Sequence, residues 1–459
     1  MDELVTQSAV SLVDLIRTRA VSPVEVMEAH LRRIEDLNPK LNAIVTLAPD
    51  VMEKAREAEA AVMRGDQVGT LHGLPFTVKD TIDTIGLRTT SGSAMRADFI
   101  PAADAGAVAR LKAAGAIILG KTNPAEMAMD YTADNPVFGR TNNPHDSSLT
   151  PGGSSGGEAA AIAAYLSPGG LGSDLAGSVR IPAHFCGIAG LKPTVGRIPG
   201  TGQFPPSSGP YSLGSVIGPM ARSVGDLQLL FDGLVGNAST GVPLPKRRES
   251  LAKVRCAWYT HDGVSPVTAD TAVAVEKAAR ALADNGFEVN QQRPPGVERG
   301  HDLWLKLFSW ASVVLLRQVY SGHEEKGGEF VRWRLATAND TTAPSLQDYI
   351  SSWLERDRLR ATLIEWMETT PLILAPVGAT PAFPHGTLKI VVGDTSVNNF
   401  RAFSYSQTYN TFDLPVVVVP VSRSSEGLPI GVQVIGRPFE EETVVTAAAV
   451  IEEAIGWQR

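Results

Sequence analysis

Cysteine and histidine are too scarce or too scattered in this 459-residue chain to form a site on their own. The two cysteines, Cys186 and Cys256, exclude a disulfide framework and a cysteine-rich metal centre, and they suit a reducing compartment. The eight histidines include no HxxxH or HExxH pair. The sequence therefore predicts neither a metal ion nor a cofactor.

Positive charge and long apolar runs are also scarce. The net charge is −8 and the one basic cluster is KRR at residues 246–248, which argues against nucleic acid or an anionic membrane as a partner. No apolar run reaches transmembrane length, and the first ten residues lack the basic and apolar regions of a signal peptide. We therefore expect a cytoplasmic protein that acts on a small molecule.

Glycine and serine, by contrast, are dense between residues 150 and 183. Two glycine-rich loops that contain serines flank a short alanine-rich helix, predicted from Glu158 to Leu166. Glycine at this density suits a backbone that takes positive φ or approaches a ligand closely. A serine hydroxyl becomes a nucleophile once a base removes its proton, so this segment is the candidate catalytic centre.

Three motifs carry a family resemblance: GLPFTVKD at residues 73–80, GGSSGG at 152–157 and DLAGSVRIP at 174–182. In their order and separation they resemble the amidase signature family of Ser–Ser–Lys hydrolases. The resemblance implies that Ser178 attacks the substrate, that Ser154 relays protons and that Lys79 is the base. It also implies a cis peptide bond before Ser154.

Lysine can act as a base only when it is neutral, and burial favours the neutral form. No histidine is placed by a motif to take this role. Lys79 ends a strand predicted from Leu74, so burial is expected there. The adjacent Asp80 must then point away, since a carboxylate beside the amine would keep it charged.

The resemblance further implies an oxyanion hole of four consecutive backbone N–H groups, those of Leu175, Ala176, Gly177 and Ser178. Ala176 departs from the commoner D-T/I-G-G-S form of this loop. Alanine is strained at positive φ where glycine is not. We therefore expect either a loop geometry that alanine tolerates or a slightly altered hole.

Four neighbouring residues are expected to support this centre. In the family, the positions of Asp174 and Arg180 form a salt bridge that braces the oxyanion loop. Ser155 is expected to hydrogen-bond Lys79, and Ser173 is expected to hydrogen-bond the relay serine.

Two other motif matches are rejected on physical grounds. GAIILGKT at residues 115–122 fits the phosphate-loop expression GxxxxGKS/T, but its middle residues form an apolar strand instead of an open turn. GGSSG at 152–156 fits the GxSxG elbow of α/β-hydrolases. That elbow follows a buried strand, and NNPHDSSLTP at 142–151 cannot be one.

Helix and strand patterns alternate along the chain, which predicts a layered α/β fold. The resemblance makes this an α/β/α sandwich around a large mixed, twisted β-sheet, in a single domain over residues 1–459. The expected parts are an N-terminal helical region, a catalytic core, a variable segment and a C-terminal return to the sheet, at residues 1–70, 71–235, 236–370 and 371–459. Residues 236–250 have the composition of a linker.

Two stretches are candidates for the substrate pocket. Met127, Met129 and Tyr131 lie in a segment that resembles the border of the family's acyl pocket, although core packing would explain them equally well. Five of the seven tryptophans fall within residues 300–366. They either pack helices together or form a helical cap over an apolar substrate channel.

The expected activity is hydrolysis of aryl or apolar acyl amides through an acyl-enzyme, with ester and carbamate hydrolysis as further activities, by a monomer or homodimer. One alternative is the amidase subunit of a tRNA-dependent glutamine amidotransferase. That subgroup typically carries S-I/V-R-Q-P and D-T-G-G-S, whereas this chain has SVRIP and DLAGS. A non-catalytic binding protein on the same scaffold is the other alternative.

Overall fold

The computed structural model describes residues 3–235, 251, 253–338 and 343–457. The predicted linker, residues 236–250, lies outside them. The strands of the described part are β1 (Ile44–Leu47), β2 (Pro75–Lys79), β3 (Ile117–Thr122), β4 (Gly169–Asp174), β5 (Ala189–Lys192), β6 (Val216–Ala221), β7 (Arg255–Trp258), β8 (Glu288–Gln291), β9 (Leu372–Pro376), β10 (Lys389–Val392), β11 (Thr395–Asn398), β12 (Val416–Arg423) and β13 (Pro429–Ile435).

Helices occupy much of the remaining described chain. They are α1 (Glu3–Thr6), α2 (Ala9–Arg17), α3 (Pro23–Leu41), α4 (Val51–Arg64), α5 (Gly106–Ala113), α6 (Gly156–Ala163), α7 (Arg180–Cys186), α8 (Val224–Val235), α9 (Ala269–Asp284), α10 (Gly300–Trp304), α11 (Trp310–Val319), α12 (Glu329–Thr337), α13 (Leu346–Met367), α14 (Asn399–Ala402), α15 (Ser404–Thr411) and α16 (Glu441–Ile455). Within the described ranges, none of these helices is long and apolar enough to cross a bilayer.

Eleven strands form one sheet in the order β1-β3-β2-β4-β6-β5-β12-β13-β9-β7-β8. Strand β2 is parallel to both β3 and β4. The centre from β4 to β9 is antiparallel, and β9, β7 and β8 are parallel again. The expected mixed sheet is confirmed.

Strand β12 shows how the sheet is covered on both faces. Val417, Val419 and Val421 belong to a core that includes residues of α8, α9 and α16. Val416 and Val418 belong to a second core, with residues of α7, α10 and α15. Successive side chains of a strand point to opposite faces, so helices lie on both sides and the predicted α/β/α sandwich is confirmed.

Residues 3–64 contain four helices, α1 to α4, and one strand, β1. The SPVE sequence at residues 22–25 predicts a helix start, and α3 begins there, with Ser22 as N-cap and a capping box to Glu25. The Asn38-Pro39 pair predicts the end of this helix, but Pro39 lies in the last turn and the helix continues to Leu41. Strand β1 then joins the edge of the sheet beside β3.

Predicted elements near the site agree closely with the structure. The strand expected at 74–79 corresponds to β2, and the apolar run LILAP at 372–376, which predicts a strand buried on both faces, corresponds to β9. The alanine-rich helix corresponds to α6, which begins two residues earlier than predicted. The apolar middle of GAIILGKT is part of β3. Its Lys121 is buried and donates to the carbonyl of Ile82 and to Thr89 Oγ1, so it is turned into the protein.

Candidate active site

Strand β2 places Lys79 on the face of the sheet that helix α6 covers. Phe76 and Val78 point into the core on one side. Thr77 and Lys79 therefore point to the other side, towards α6. The Lys79 side chain is fully buried, and its Nζ lies 2.7 Å from Ser154 Oγ and 3.0 Å from Ser173 Oγ. The motif-predicted lysine and serine are thus in direct contact.

The surroundings of Lys79 favour the neutral amine. Burial lowers its pKa to about 7, against the opposing effects of Asp174 and Glu158. The side chain of Asp80 points away, since its Oδ2 accepts hydrogen bonds from the N–H and Oγ1 of Thr90. An amine in this state can accept a proton from the Ser154 hydroxyl.

Ser154 lies in a loop whose close packing leaves no room for a side chain at the preceding residue. The peptide bond between Gly153 and Ser154 is cis, as the resemblance implied. A Cβ on Gly153 would lie 2.2 Å from the carbonyl oxygen of Thr132, so only glycine fits at that position. No strand leads into this loop, since residues 129–148 and 150–155 are irregular. The GxSxG elbow is therefore excluded on structural grounds as well.

Ser178 lies in the loop between β4 and α7. Its side chain is 6% exposed, and its hydroxyl makes no hydrogen bond to any other residue that the structure describes. Both Ser178 and Ser154 border the same cavity. The free hydroxyl is therefore open to a molecule bound there.

The four predicted oxyanion donors differ in their surroundings. The Gly177 N–H donates to Asp174 Oδ1 at 2.9 Å, so it is not free to bind an oxyanion. The N–H groups of Leu175, Ala176 and Ser178 have no acceptor among the described residues. Positive φ falls on Gly177 (φ 105°) and not on Ala176, so the loop has a geometry that alanine tolerates.

Asp174 and Arg180 form a fully buried, bidentate ion pair beneath this loop. Arg180 Nε lies 3.0 Å from Asp174 Oδ2, and Nη2 lies 2.9 Å from Oδ1. Arg180 also donates to the side chains of Gln433 and Asn410, which satisfies the rest of the guanidinium. Burial alone would raise the pKa of Asp174, but Arg180 outweighs it and holds the pKa well below its usual value.

The two supporting serines make contacts other than the expected ones. Ser173 Oγ contacts Lys79 directly. Ser155 Oγ instead hydrogen-bonds the backbone N–H and carbonyl of Ser173, both at 3.3 Å. Ser173 is the last residue but one of β4, whose pairing to β2 brings it beside Lys79. Ser155 is the N-cap of α6.

The cavity above Ser178 is mainly apolar and aromatic. Its lining includes the three residues predicted from the sequence, Met127, Met129 and Tyr131. Aromatic side chains from later elements complete the wall, namely Trp304, Phe330, Phe400 and Tyr211. Of the tryptophans in residues 300–366, only Trp304 borders the cavity, and Trp353 packs against Phe308 and Tyr349.

Sequence reasoning missed several residues of the site. Glu158 is fully buried near Lys79 and accepts hydrogen bonds from Thr77 and, at 2.7 Å, from Thr122, while burial raises its pKa. In the sequence it reads as an ordinary first-turn helix glutamate. Phe400 and Gln407 come from α14 and α15, and no motif marks them as part of a site.

Comparisons with known proteins agree with this geometry. Residues 25–445 match the family model described as Amidase. The chain is 35% identical to a glutamyl-tRNA(Gln) amidotransferase subunit from Thermus thermophilus, over 95% of this chain and 94% of that protein. It is 31% identical to the fatty-acid amide hydrolase 2 of Homo sapiens, over 99% and 90% of the two chains. A bacterial aryl acylamidase structure superposes with a TM-score of 0.86 at 26% identity, covering 98% and 96%.

Proposed function

This chain belongs to the amidase signature family of amide-hydrolysing enzymes, and from that premise we propose that it cleaves carboxamides through an acyl-enzyme on Ser178. The observation that carries the proposal is the 2.7 Å contact between the buried Lys79 amine and Ser154 Oγ, at a cavity that Ser178 also borders. A lysine charged at neutral pH could not serve as base, and burial removes that obstacle.

In the proposed reaction, Ser178 Oγ attacks the amide carbon while its proton passes to Ser154, whose own proton passes to Lys79. The resulting oxyanion is stabilised by backbone N–H groups that face the cavity, for which Leu175, Ala176 and Ser178 are available. The proton then returns through Ser154 to the leaving nitrogen, because an amine leaves only when protonated. Water attacks the ester of Ser178 and releases the acid.

We propose aryl or apolar acyl amides as substrates, with esters and carbamates as further ones. The apolar lining of the cavity supports this class, since burial of apolar surface contributes roughly 25 cal/mol per Å² to binding. The similar bacterial aryl acylamidase gives independent support.

A second candidate function is that of the amidase subunit of a glutamyl-tRNA(Gln) amidotransferase, and the curated relatives support it better than a free-standing hydrolase. One observation in the cavity favours it as well. The half-buried Arg334 borders the cavity and donates to Ser309 Oγ at 2.6 Å, and the described residues place no carboxylate within 4.0 Å of it. It could pair with the carboxylate of glutamine. The SVRIP and DLAGS motifs remain departures from that subgroup.

The two candidates and the non-catalytic alternative are separated by one set of measurements. A fluorophosphonate probe should label Ser178, located by peptide mass mapping, and the Ser178→Ala variant should stay unlabelled. No serine adduct on the wild type would support the binding protein. A panel of anilides, primary amides, esters, carbamates and glutamine then distinguishes a hydrolase of apolar amides from a glutamine-specific amidotransferase component.

A further inference from the structure

The oxyanion loop, residues 174–178, accepts hydrogen bonds from two side chains of the cavity wall. Trp304 Nε1 donates to the carbonyl oxygen of Leu175 at 2.9 Å. The Tyr131 hydroxyl donates to the carbonyl oxygen of Ala176 at 3.0 Å. Trp304 comes from the tryptophan-rich segment, whose role the sequence left open between packing and a substrate cap.

The Trp304 bond fixes the direction of one proposed oxyanion donor, the Ala176 N–H, and the Tyr131 bond fixes the peptide unit next to it. In a trans peptide the carbonyl and the N–H of one peptide unit point to opposite sides. The Leu175 carbonyl shares its peptide unit with the Ala176 N–H, so holding the oxygen on Trp304 directs that N–H away from Trp304. The next unit is held at both ends, by Tyr131 at the oxygen and by Asp174 at the Gly177 N–H. Neither oxygen can turn without breaking a buried bond.

The Tyr131 hydroxyl is also hydrogen-bonded to Gln407, which in turn contacts His301, and the donor of each of these hydrogen bonds can be assigned. Gln407 Nε2 donates to the Tyr131 hydroxyl at 2.7 Å and to the carbonyl of Phe400 at 2.9 Å. If the Gln407 side-chain amide were turned over, its Oε1 would face the carbonyl oxygen of Phe400, and neither oxygen could donate a hydrogen bond. Oε1 therefore faces His301 Nδ1, 2.5 Å away. His301 therefore carries its proton on Nδ1 and donates it. The single Tyr131 proton is left for the Ala176 carbonyl.

The side chains of this hydrogen-bonded network are shielded from water. Tyr131 is 2% exposed and Gln407 is fully buried. Burial also raises the pKa of Tyr131, so its hydroxyl keeps its proton. A buried carbonyl without a hydrogen-bond donor is destabilised, because it has lost its contact with water and has no other partner. The hydrogen bond to the Ala176 carbonyl therefore stabilises the observed conformation of the loop.

We propose that Trp304 and Tyr131 are positioning residues for the oxyanion loop. Trp304 fixes the peptide unit that presents the Ala176 N–H, and Tyr131, supported by Gln407 and His301, keeps the adjoining unit in place. This inference rests on the proposed function, because it assigns the loop its proposed catalytic role. Under this proposal the Trp304 indole N–H affects kcat by holding the loop, whereas the Trp304 ring contributes to substrate binding as part of the cavity wall.

The test is the Trp304→Phe variant, which keeps a ring beside Phe400 and removes the Nε1–H. We expect kcat for an anilide to fall by about 10- to 100-fold, somewhat less than the loss of a whole oxyanion donor, while KM changes by less than about 3-fold. Affinity for an arylboronic acid, whose tetrahedral adduct with serine mimics the transition state, should fall by a similar factor. Trp353→Phe is the matched control, since the Trp353 indole N–H has no acceptor in the described chain, and it should behave as wild type.

Tyr131→Phe provides an independent arm should Trp304→Phe fail to fold, as judged by thermal unfolding. It should show the same fall in kcat and boronate affinity. Wild-type kcat and boronate affinity in the folded variants, or a raised KM with unchanged kcat, would overturn the inference. Failure of the proposed function is recognised separately, because the wild type would then give no serine adduct with the fluorophosphonate.

Discussion

At neutral pH Lys79 is divided between its two protonation states, because burial lowers its pKa to about 7. Only the neutral amine can accept the relayed proton, so we expect activity to follow deprotonation of this residue. As the pH rises, kcat for an anilide should increase about tenfold per pH unit below the pKa and level off above it. A pH series of kcat from about pH 5 to about pH 9 checks this. A profile that keeps rising to the pKa of free lysine would contradict the buried, neutral base.

Removal of the base should affect amides and activated esters differently. Lys79→Ala should lower kcat for amides by about 10³-fold or more, because the leaving nitrogen then receives no proton. A p-nitrophenyl ester needs no proton on its leaving group and should lose much less. The ratio of the two losses is the measurement. Equal losses would indicate that the substitution has disturbed the fold around Ser154 and Ser173 instead.

The two serines should also be distinguishable. Ser178→Ala should abolish formation of an acyl-enzyme, whereas Ser154→Ala should leave slow turnover because the nucleophile remains. Intact-mass measurements during ester turnover show which variant still accumulates the acyl group. An adduct carried by Ser154 in the wild type would reverse the two assignments.

The motifs identified the residues that meet at the cavity, but not every contact between them. Lys79, Ser154 and Ser178 could be predicted because their flanking residues form family motifs. The Gly177 N–H could not be excluded as a donor, since its direction is set by a hydrogen bond to Asp174 that spacing does not reveal. The contact of Ser173 with Lys79 depends likewise on strand pairing.

At the scale of elements, the variable segment and α14 bring aromatic rings to a cavity that the core alone leaves open. Trp304, Phe330 and Phe400 contribute to its wall, and the Phe400 ring is 6.1 Å from Phe330 and 6.2 Å from Trp304. We expect kcat/KM for an anilide to exceed that for acetamide. Phe330→Ala should lower it for the anilide on the order of tenfold and leave it nearly unchanged for acetamide.

Leu354→Ala is the matched control for this prediction. Leu354 is 67% exposed on α13 and does not border the cavity, so this variant should keep both kcat/KM values. Similar values for acetamide and the anilide in the wild type would mean that the segment has only a structural role.

Element positions followed from periodicity and capping, and the errors have local causes. Ser22 and Glu25 predicted the start of α3 because the capping box is a short-range pattern. Its end was wrong because Pro39 lies within the last turn, where a missing N–H removes a single bond, and Asn42 in the left-handed region closes the helix. Strand β1 is only four residues long, and its β-branched residues Ile44, Val45 and Thr46 are the one sequence signal for it.

At the scale of the whole molecule, the sequence predicted layers but not strand order. The continuous apolar runs of β9 and β12 indicated strands buried on both faces. The order of eleven strands depends on pairings between distant segments, such as β5 with β12, and a single sequence does not record them. The parallel pairing of β2 with β4 decides the site, because it brings Ser173 to Lys79.

The two candidate functions predict different molecular assemblies. A free-standing hydrolase should be active as a monomer or homodimer, which is the expectation from the sequence, as is a cytoplasmic location. An amidotransferase component should co-purify with a further chain from its native cells. Light scattering of the isolated chain, combined with its turnover of glutamine and anilides, is the measurement. Full anilide turnover by the isolated chain would favour the hydrolase, and activity that appears only with a second chain would favour the amidotransferase.

The contacts of Arg180 also bear on how the protein matures during synthesis. The guanidinium that supports the oxyanion loop is completed by Asn410 and Gln433, which follow it in the chain by 230 and 253 residues. When Lys79, Ser154 and Ser178 of a nascent chain have emerged from the ribosome, Asn410 and Gln433 have not yet been added, and Arg180 lacks these two hydrogen bonds. Contacts of such long range form late in folding. Ser178 therefore acquires its surroundings only as the last strands of the sheet are added. A shorter translation product would carry Lys79, Ser154 and Ser178 without the proposed active centre.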